Sequence, residues 1–408
     1  MKKIFTLAAL AFFSFSFSQI QAYKDRADAV SQTNLETYNS DLVAFGVRKT
    51  GTQQTANALA YLKDKYASFG YTDIAEQTFT RYSSSFGTTF IDKNLIVTKT
   101  GKKYPDQYVI ICGHYDSYSN DSTGKHSVGA NDNASGVAVI LEVARILKNI
   151  PTEYSIKFIN FSGEEQGLLG SYEFVNQVVN STNPKMNIKL VLNLDQVGGM
   201  ANRTNNTVVC EADKYNNTTV GRVSTNDDAS LSATLSLKDY FSYYTSLTGV
   251  LDYAYGSDYM PFEYNGEVIT GIYERPTDSR GRVVTNTYYH NNTDIINNLS
   301  YPYIYQIAKG ATGAMQHFAV ADQTTVVLPT QEVNKLSNYK IYPNPAKETI
   351  FIDVPNTSKY EVSIIDVSGK VLVKEKGSKT ISTNKLQNGL YIAVIKTDKE
   401  TVHQKIIV

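Results

Sequence analysis

Between about residue 41 and 320 the chain alternates apolar runs of strand length with stretches of helical spacing, and this alternation constrains the fold more than any other feature. Gln107 to Cys112 and Ile188 to Leu194 are strongly apolar runs, as strands covered on both faces must be, and Tyr154 to Phe161 passes from alternating to continuous. Asn94 to Thr98 reads as a further strand. Thr55 to Phe69, Ser135 to Lys148, Leu169 to Val179 and Ser300 to Phe318 carry apolar residues at helical spacing. Gly70 stops the first of these helices, and Pro151 follows the second. The pattern predicts an α/β domain: a mixed, largely parallel central sheet flanked by helices.

Past residue 320 the periodicity stops. Residues 321–335, with Ala321-Asp322-Gln323-Thr324-Thr325 and Pro329-Thr330-Gln331-Glu332, read as a linker. From 336 to 408 short strand-like runs are separated by Asn344-Pro345, Ser368-Gly369 and Asn388-Gly389, which predicts a small C-terminal β-sandwich. At the other end, Lys2 and Lys3 precede an apolar stretch from Ile4 to Phe17, and the small residues Ser16 and Ser18 allow cleavage near Gln19. Residues 1–18 are thus expected to be a signal peptide, too short to span a membrane, for which ~20 apolar residues are needed. The expected domains are 1–18 signal peptide, 19–320 catalytic domain, 321–335 linker and 336–408 β domain. A short propeptide between Gln19 and about residue 40 is left open.

Lys plus Arg equals Asp plus Glu at 39 each, which gives no electrostatic case for a nucleic-acid partner. Cys112 and Cys210 are too few for a disulfide-stapled scaffold. Cys112, inside an apolar run, reads as a small buried hydrophobe.

The chemistry gathers at strand ends, where ligands bind in such sheets. Strand 107–112 runs into Gly113-His114-Tyr115-Asp116-Ser117. The next loop is Gly129-Ala130-Asn131-Asp132-Asn133-Ala134-Ser135-Gly136. Strand 154–161 ends in Ser162-Gly163-Glu164-Glu165-Gln166-Gly167, and strand 188–194 in Asp195-Gln196. Tyr289-His290-Asn291-Asn292-Thr293-Asp294 comes late in the domain. His114, Asp132, Glu165, Asp195 and His290 form a set of nitrogen and oxygen donors that suits zinc. Two ions would need a shared carboxylate, for which Asp132 is the natural candidate. Glu164, beside a ligand, is left over for proton transfer. Asp116, two residues after His114, points to the same side and is placed to take the second imidazole N–H. Singly, each residue has a plainer reading: a helix cap for Asp132, a solvated face for the Glu pair. Acidic and imidazole residues at successive strand ends are not explained that way.

At these residues the chain resembles metallopeptidase family 28, the di-zinc aminopeptidases of bacterial leucyl and aminopeptidase S type. The resemblance covers roughly residues 40 to 318 and is carried by GHYDS (113–117), GANDNASG (129–136), SGEEQGLLGS (162–171), NLDQVG (193–198), GSDYMPF (256–262) and YHNNTD (289–294). It implies a zinc-exopeptidase fold and two Zn2+ per chain. By the same resemblance His114 and Asp195 serve one ion, Glu165 and His290 the other, and Asp132 bridges. Glu164 would be the general base and Asp116 the partner of His114. The family's oxyanion-stabilising Tyr hydroxyl maps to this chain's Tyr253 or Tyr255, of which Tyr255 is preferred. Tyr259 stands where the family often has His. Residues 336–408, with Tyr342-Pro343-Asn344-Pro345-Ala346, Val367-Ser368-Gly369-Lys370 and Leu386-Gln387-Asn388-Gly389-Leu390-Tyr391, resemble the type A sorting domain of the Bacteroidetes type IX secretion system.

The expected function is a secreted aminopeptidase that removes N-terminal residues from peptides or proteins. It would be exported through the periplasm, with the type IX machinery as partner of its tail. The competing readings are a single-zinc glutaminyl-peptide cyclotransferase, a binding or structural protein that has kept the fold and lost activity, and a carboxypeptidase on the same fold, the last needing a cation such as Arg275 or Arg280 for the substrate carboxylate.

Overall fold

The computed structural model describes residues 20–119, 127–213, 225–254, 256–324, 340–354, 359–366, 371–387, 389–397 and 401–408. The expected signal peptide, most of the expected linker and Tyr255 lie outside the described residues. The chain divides into two units, residues 1–325 and 326–408.

The first unit is built on an eight-stranded sheet: β1 (Ile74–Ser83), β2 (Thr88–Lys99), β3 (Tyr104–His114), β4 (Tyr154–Phe161), β5 (Asn187–Leu194), β6 (Thr207–Ala212), β7 (Thr248–Tyr253) and β8 (Ile269–Glu274). Their order is β1-β2-β4-β3-β5-β8-β6-β7. The central strands β4, β3, β5 and β8 are parallel, whereas β1, β2 and β6 join by antiparallel pairings. The sheet is therefore mixed, with its parallel strands where the apolar runs are longest.

Side chains alternate across β3 as the pleat requires. Ile110 and Cys112 enter an apolar cluster with Ile159, Phe161, Phe174, Val191 and Phe262. That cluster lies under α5 (Leu169–Phe174), the π turn that continues it, and α7 (Met260–Tyr264). The opposite face is covered by α4 (Ala134–Leu147), with α8 (Tyr301–Phe318), α2 (Gln32–Val43) and α1 (Gln21–Asp28) packed beyond it. Helices α3 (Gln53–Ser68) and α6 (Asp227–Tyr244) complete the layers. Gly70, past the end of α3, has φ +90°, the left-handed stop that glycine supplies. Cys112 and Cys210 are both buried free thiols. Among the described residues no helix is long and apolar enough to cross a membrane.

Residues 20–43, left open as a propeptide, form α1 and α2. Tyr23, Ala27, Leu35 and Leu42 are buried, and Arg26 is fully enclosed and donates to Gln316 of α8 at 3.1 Å.

The second unit holds two antiparallel sheets. One contains β9 (Lys340–Tyr342), β10 (Thr349–Asp353) and β13 (Thr380–Ser382). The other contains β11 (Tyr360–Asp366), β12 (Val371–Lys376), β14 (Leu390–Thr397) and β15 (Thr401–Ile407). Ile341, Ile350 and Ile381 of the first share one apolar cluster with Val362, Ile364, Ala393, Ile395 and Ile406 of the second, so the unit is a small sandwich with its own core. A protein truncated after residue 325 should therefore keep whatever activity the first unit carries. Loss of activity in a truncated protein with a native circular-dichroism spectrum would show that the tail contributes to the site.

Candidate metal centre

The parallel strands β4, β3 and β5 are neighbours, so their carboxyl ends open on one edge. His114 is the last residue of β3, Glu164 and Glu165 follow β4, and Asp195 follows β5 directly. Asp132 enters from the loop before α4. The cap of that helix is Asn133, whose side chain accepts from the Gly136 amide at 3.0 Å, so Asp132 has no capping duty. His290 comes from the loop after β8 at φ +57°, in the left-handed region, and this turns its ring toward the same edge.

The structure brings all five expected donors together. His114 Nε2 is 3.3 Å from Asp132 Oδ1 and 3.5 Å from Asp195 Oδ1. His290 Nε2 is 3.2 Å from Asp132 Oδ2 and 2.7 Å from Glu165 Oε2. The two groups thus share Asp132 through different oxygens. Buried Nε2 of both imidazoles and Oε1 of Glu165 have no hydrogen-bond partner, although carboxylate oxygens stand close by. Around one tetrahedral zinc with bonds of about 2.0–2.1 Å, neighbouring donor atoms stand about 3.3–3.4 Å apart. The donor types, their orphaned atoms and their spacing all fit zinc.

Glu164 sits slightly apart. Its Oε2 is 4.0 Å from His114 Nε2, and its side chain is 16% exposed where that of His114 is fully buried. Asp116 differs in detail from its expected part. His114 Nδ1 lies 3.2 Å from the Asp116 backbone oxygen and 3.6 Å from its carboxylate. The Asp116 carboxylate instead accepts from the backbone amides of Glu164 and Glu165, both at 3.3 Å, and from the Thr50 hydroxyl at 3.2 Å. Asp116 therefore fixes His114 through its main chain and the Glu164–Glu165 loop through its side chain.

The electrostatics call for cations. Burial raises Glu164 well above the ordinary carboxylate range, against the pull of His114. Burial and the Asp132 charge push Glu165 up to about 8, and burial raises Asp195. Burial works against ionised Asp132 too, yet the two imidazoles hold it below its usual range. Burial alone would lower His290, but the Asp132 and Glu165 carboxylates lift it to about 10. In the protein alone the carboxylates draw protons onto one another and onto the imidazoles, a demand that divalent cations would meet.

Sequence reasoning missed several supports. Ser257 donates to Asp195 Oδ2 at 2.7 Å and accepts from Asn193 Nδ2 at 2.9 Å, which leaves Asp195 Oδ1 for His114. Fully buried Arg48 donates to the carbonyls of Tyr115, Val128 and Gly129, tying the His114 and Asp132 loops together. Ser257 stands in a segment already singled out, GSDYMPF, whereas Arg48 precedes α3, outside the motifs named above. For Ser257 the signal was position inside a motif, not residue type. Around His290 stand aromatic rings: Tyr289 stacks on it at 3.6 Å, and Tyr118 meets it edge-on at 5.2 Å. Tyr253 lies at the end of β7 and is 39% exposed. Buried Tyr259 hydrogen-bonds Glu211, a carboxyl that also feels the Asp195 charge.

Residues 94–315, more than half the chain, match Peptidase family M28, and residues 340–408 match a secretion system C-terminal sorting domain. A probable zinc metalloprotease of Pyrenophora tritici-repentis is 32% identical over 191 residues, 43% of each chain, so the match spans less than half of that relative. The fold is similar to the LapA aminopeptidase of Legionella pneumophila, with TM-score 0.58 and 19% identity over 73% of this chain and 75% of that one. It is also similar to a Bacteroides thetaiotaomicron glutaminyl cyclase bound to N-acetylhistamine, with TM-score 0.55 and 18% identity over 70% of this chain and 97% of that one. The chain belongs to peptidase family M28.

Proposed function

We propose that the protein is a secreted di-zinc aminopeptidase. One observation carries the reading: Asp132 is shared between a His114–Asp195 group and a His290–Glu165 group, with Glu164 beside them outside both. His114, Asp132 and Asp195 would hold one ion, and His290, Asp132 and Glu165 the other. Zinc there would supply an acidified water and polarise the scissile carbonyl. Glu164 takes the proton of the attacking water and delivers it to the leaving amine. The sorting domain at 340–408 supports export by the type IX machinery, and the relative named a zinc metalloprotease supports the metal.

The test is a panel of amino-acyl chromogenic amides beside N-blocked versions, with and without a chelator. Release from free N-termini only, abolished by chelation and restored by zinc, is the expected result. Cleavage of the blocked substrates would overturn the aminopeptidase reading. The likeness to the glutaminyl cyclase supports a second reading, a cyclase on this fold. Zinc stoichiometry separates them: two firmly held ions per chain favour the peptidase, and one ion with turnover of glutaminyl peptides favours the cyclase.

A further inference from the structure

We propose that Asn131 and Asp294 are positioning residues that set Asp132 between the two donor groups. The inference rests on the two-metal reading above. A shared carboxylate must present each oxygen to a different group, so the loop that carries it has to be held on several sides. The backbone amide of Asn131 donates to Asp294 Oδ1 at 2.7 Å, and that of Asp132 donates to Oδ2 at 3.1 Å. Each oxygen of one carboxylate thus holds one amide of the Asp132 loop. Asp294 stands four residues beyond His290, so the loop that supplies one donor also grips the loop that supplies the shared one.

The side chain of Asn131 ties the same loop to the other group. Its Nδ2 lies 3.1 Å from Oε1 of Gln196, the residue after Asp195, and 2.9 Å from Glu274 Oε2 at the end of β8. Its Oδ1 accepts from the Gly198 amide at 2.7 Å and the Ser135 hydroxyl at 3.2 Å. Glu274 is held in turn by Asn286 Nδ2 at 2.6 Å and the Gly199 amide at 2.5 Å. Asn131 and Asp294 are each 1% exposed and Glu274 2%, so water does not compete for these bonds. Only an amide side chain offers donors to Glu274 and Gln196 and an acceptor to Gly198 at one place. The fit also explains Gly198: a Cβ there would stand 2.4 Å from Asn131 Oδ1. None of these groups reaches the donor atoms, so they act through Asp132.

The experiment compares the full chain with Asn131→Asp and Asp294→Asn. The first keeps the shape and the Oδ1 acceptor but sets a carboxylate against Glu274. The second keeps the shape and weakens the grip on two amides. Zinc retention is measured by competition with a chromogenic chelator, beside kcat, KM and thermal unfolding. Outer partners of metal ligands are typically worth about 10–100-fold in affinity. Both variants should lose zinc about 10–100-fold more readily and lose kcat with little change in KM. Added zinc should restore part of the rate. A lowered Tm with wild-type zinc retention and kcat would overturn the proposal by showing a structural role only. If Asn131→Asp does not fold, Asp294→Asn and Gly198→Ala, which displaces the Asn131 amide without changing charge, decide on the same readouts. A wild-type chain that holds no zinc would sink the two-metal reading itself, before any variant is compared.

Discussion

Replacing Glu164 with glutamine should lower kcat by about 10²–10⁴-fold, the usual worth of a positioned general acid–base, while zinc content stays at the wild-type value. The change is isosteric and removes the proton-accepting carboxylate together with its charge. Two observations separate this residue from the ligands. Its carboxylate stands 4.0 Å from His114 Nε2, farther than Asp132 at 3.3 Å or Asp195 at 3.5 Å. Its backbone is held independently of its side chain: the amide donates to Asp116 at 3.3 Å, and the carbonyl accepts from Gly167 and Leu168, each at 2.9 Å. The loop should therefore keep its shape in the variant, and Glu165 its place. KM should move little, because the interaction lost develops only as the proton moves. Measured kcat near wild type would remove Glu164 from the mechanism. A parallel loss of zinc would reassign it as a ligand.

The donor set was legible because its residues sit where sequence pattern is strongest. His114, Glu165 and Asp195 each close or follow a strand rich in apolar residues, and such runs are read from one chain without knowing its neighbours. Strand order was not legible, nor was most of the sheet beyond β5. Strand β1 reads Ile74-Ala75-Glu76-Gln77-Thr78 and onward, half polar because one face of this antiparallel edge meets solvent. In β8, Gly271 interrupts the strand signal; a Cβ there would stand 2.4 Å from Glu211 Oε2, so the glycine makes room for that carboxyl. Helix α6 hid for a different reason. Its buried stripe begins with polar residues, among them Ser230 and Thr234, whose hydroxyls donate to the carbonyls of Ile269 and Glu211, so the first half of the inward face is polar and the apolar period starts only at Leu237. Satisfied buried polar groups leave no trace in a hydrophobic pattern. The same limit applied to Asn131, Asp294 and Ser257, which act through hydrogen bonds to partners far along the chain. The expected Asp116–His114 contact shows how resolution falls off. Spacing placed the two side by side, but whether carboxylate or carbonyl faces the ring depends on what else the carboxylate holds.

Deleting residues 20–45 should abolish both soluble folding and zinc retention, the reverse of what removal of an inhibitory propeptide does. Val30, Leu35 and Leu42 are buried. At about 1.5–3 kcal/mol for each such side chain, their loss costs about 5–9 kcal/mol, comparable with the 5–15 kcal/mol that stabilises a whole domain. Polar losses come on top. Glu142 of α4 accepts from the Ser31 amide at 2.7 Å and from Asn34 Nδ2 at 3.2 Å, and the Tyr23 hydroxyl donates to the Ala321 carbonyl at 2.5 Å. One contact reaches the metal loop itself: buried Asn39 donates from Nδ2 to the Ala130 carbonyl at 2.8 Å, two residues before Asp132. The substitution Asn39→Ala should therefore reproduce part of the deletion in a chain that still folds, weakening zinc retention while the rest of α2 stays packed. The deletion is read by soluble yield, far-ultraviolet circular dichroism and bound zinc. A soluble, zinc-loaded and more active chain starting at Gly46 would instead make residues 20–45 a propeptide. The cost of that outcome would have to be met by contacts among α4, α8 and the sheet alone, which α1 and α2 now cover.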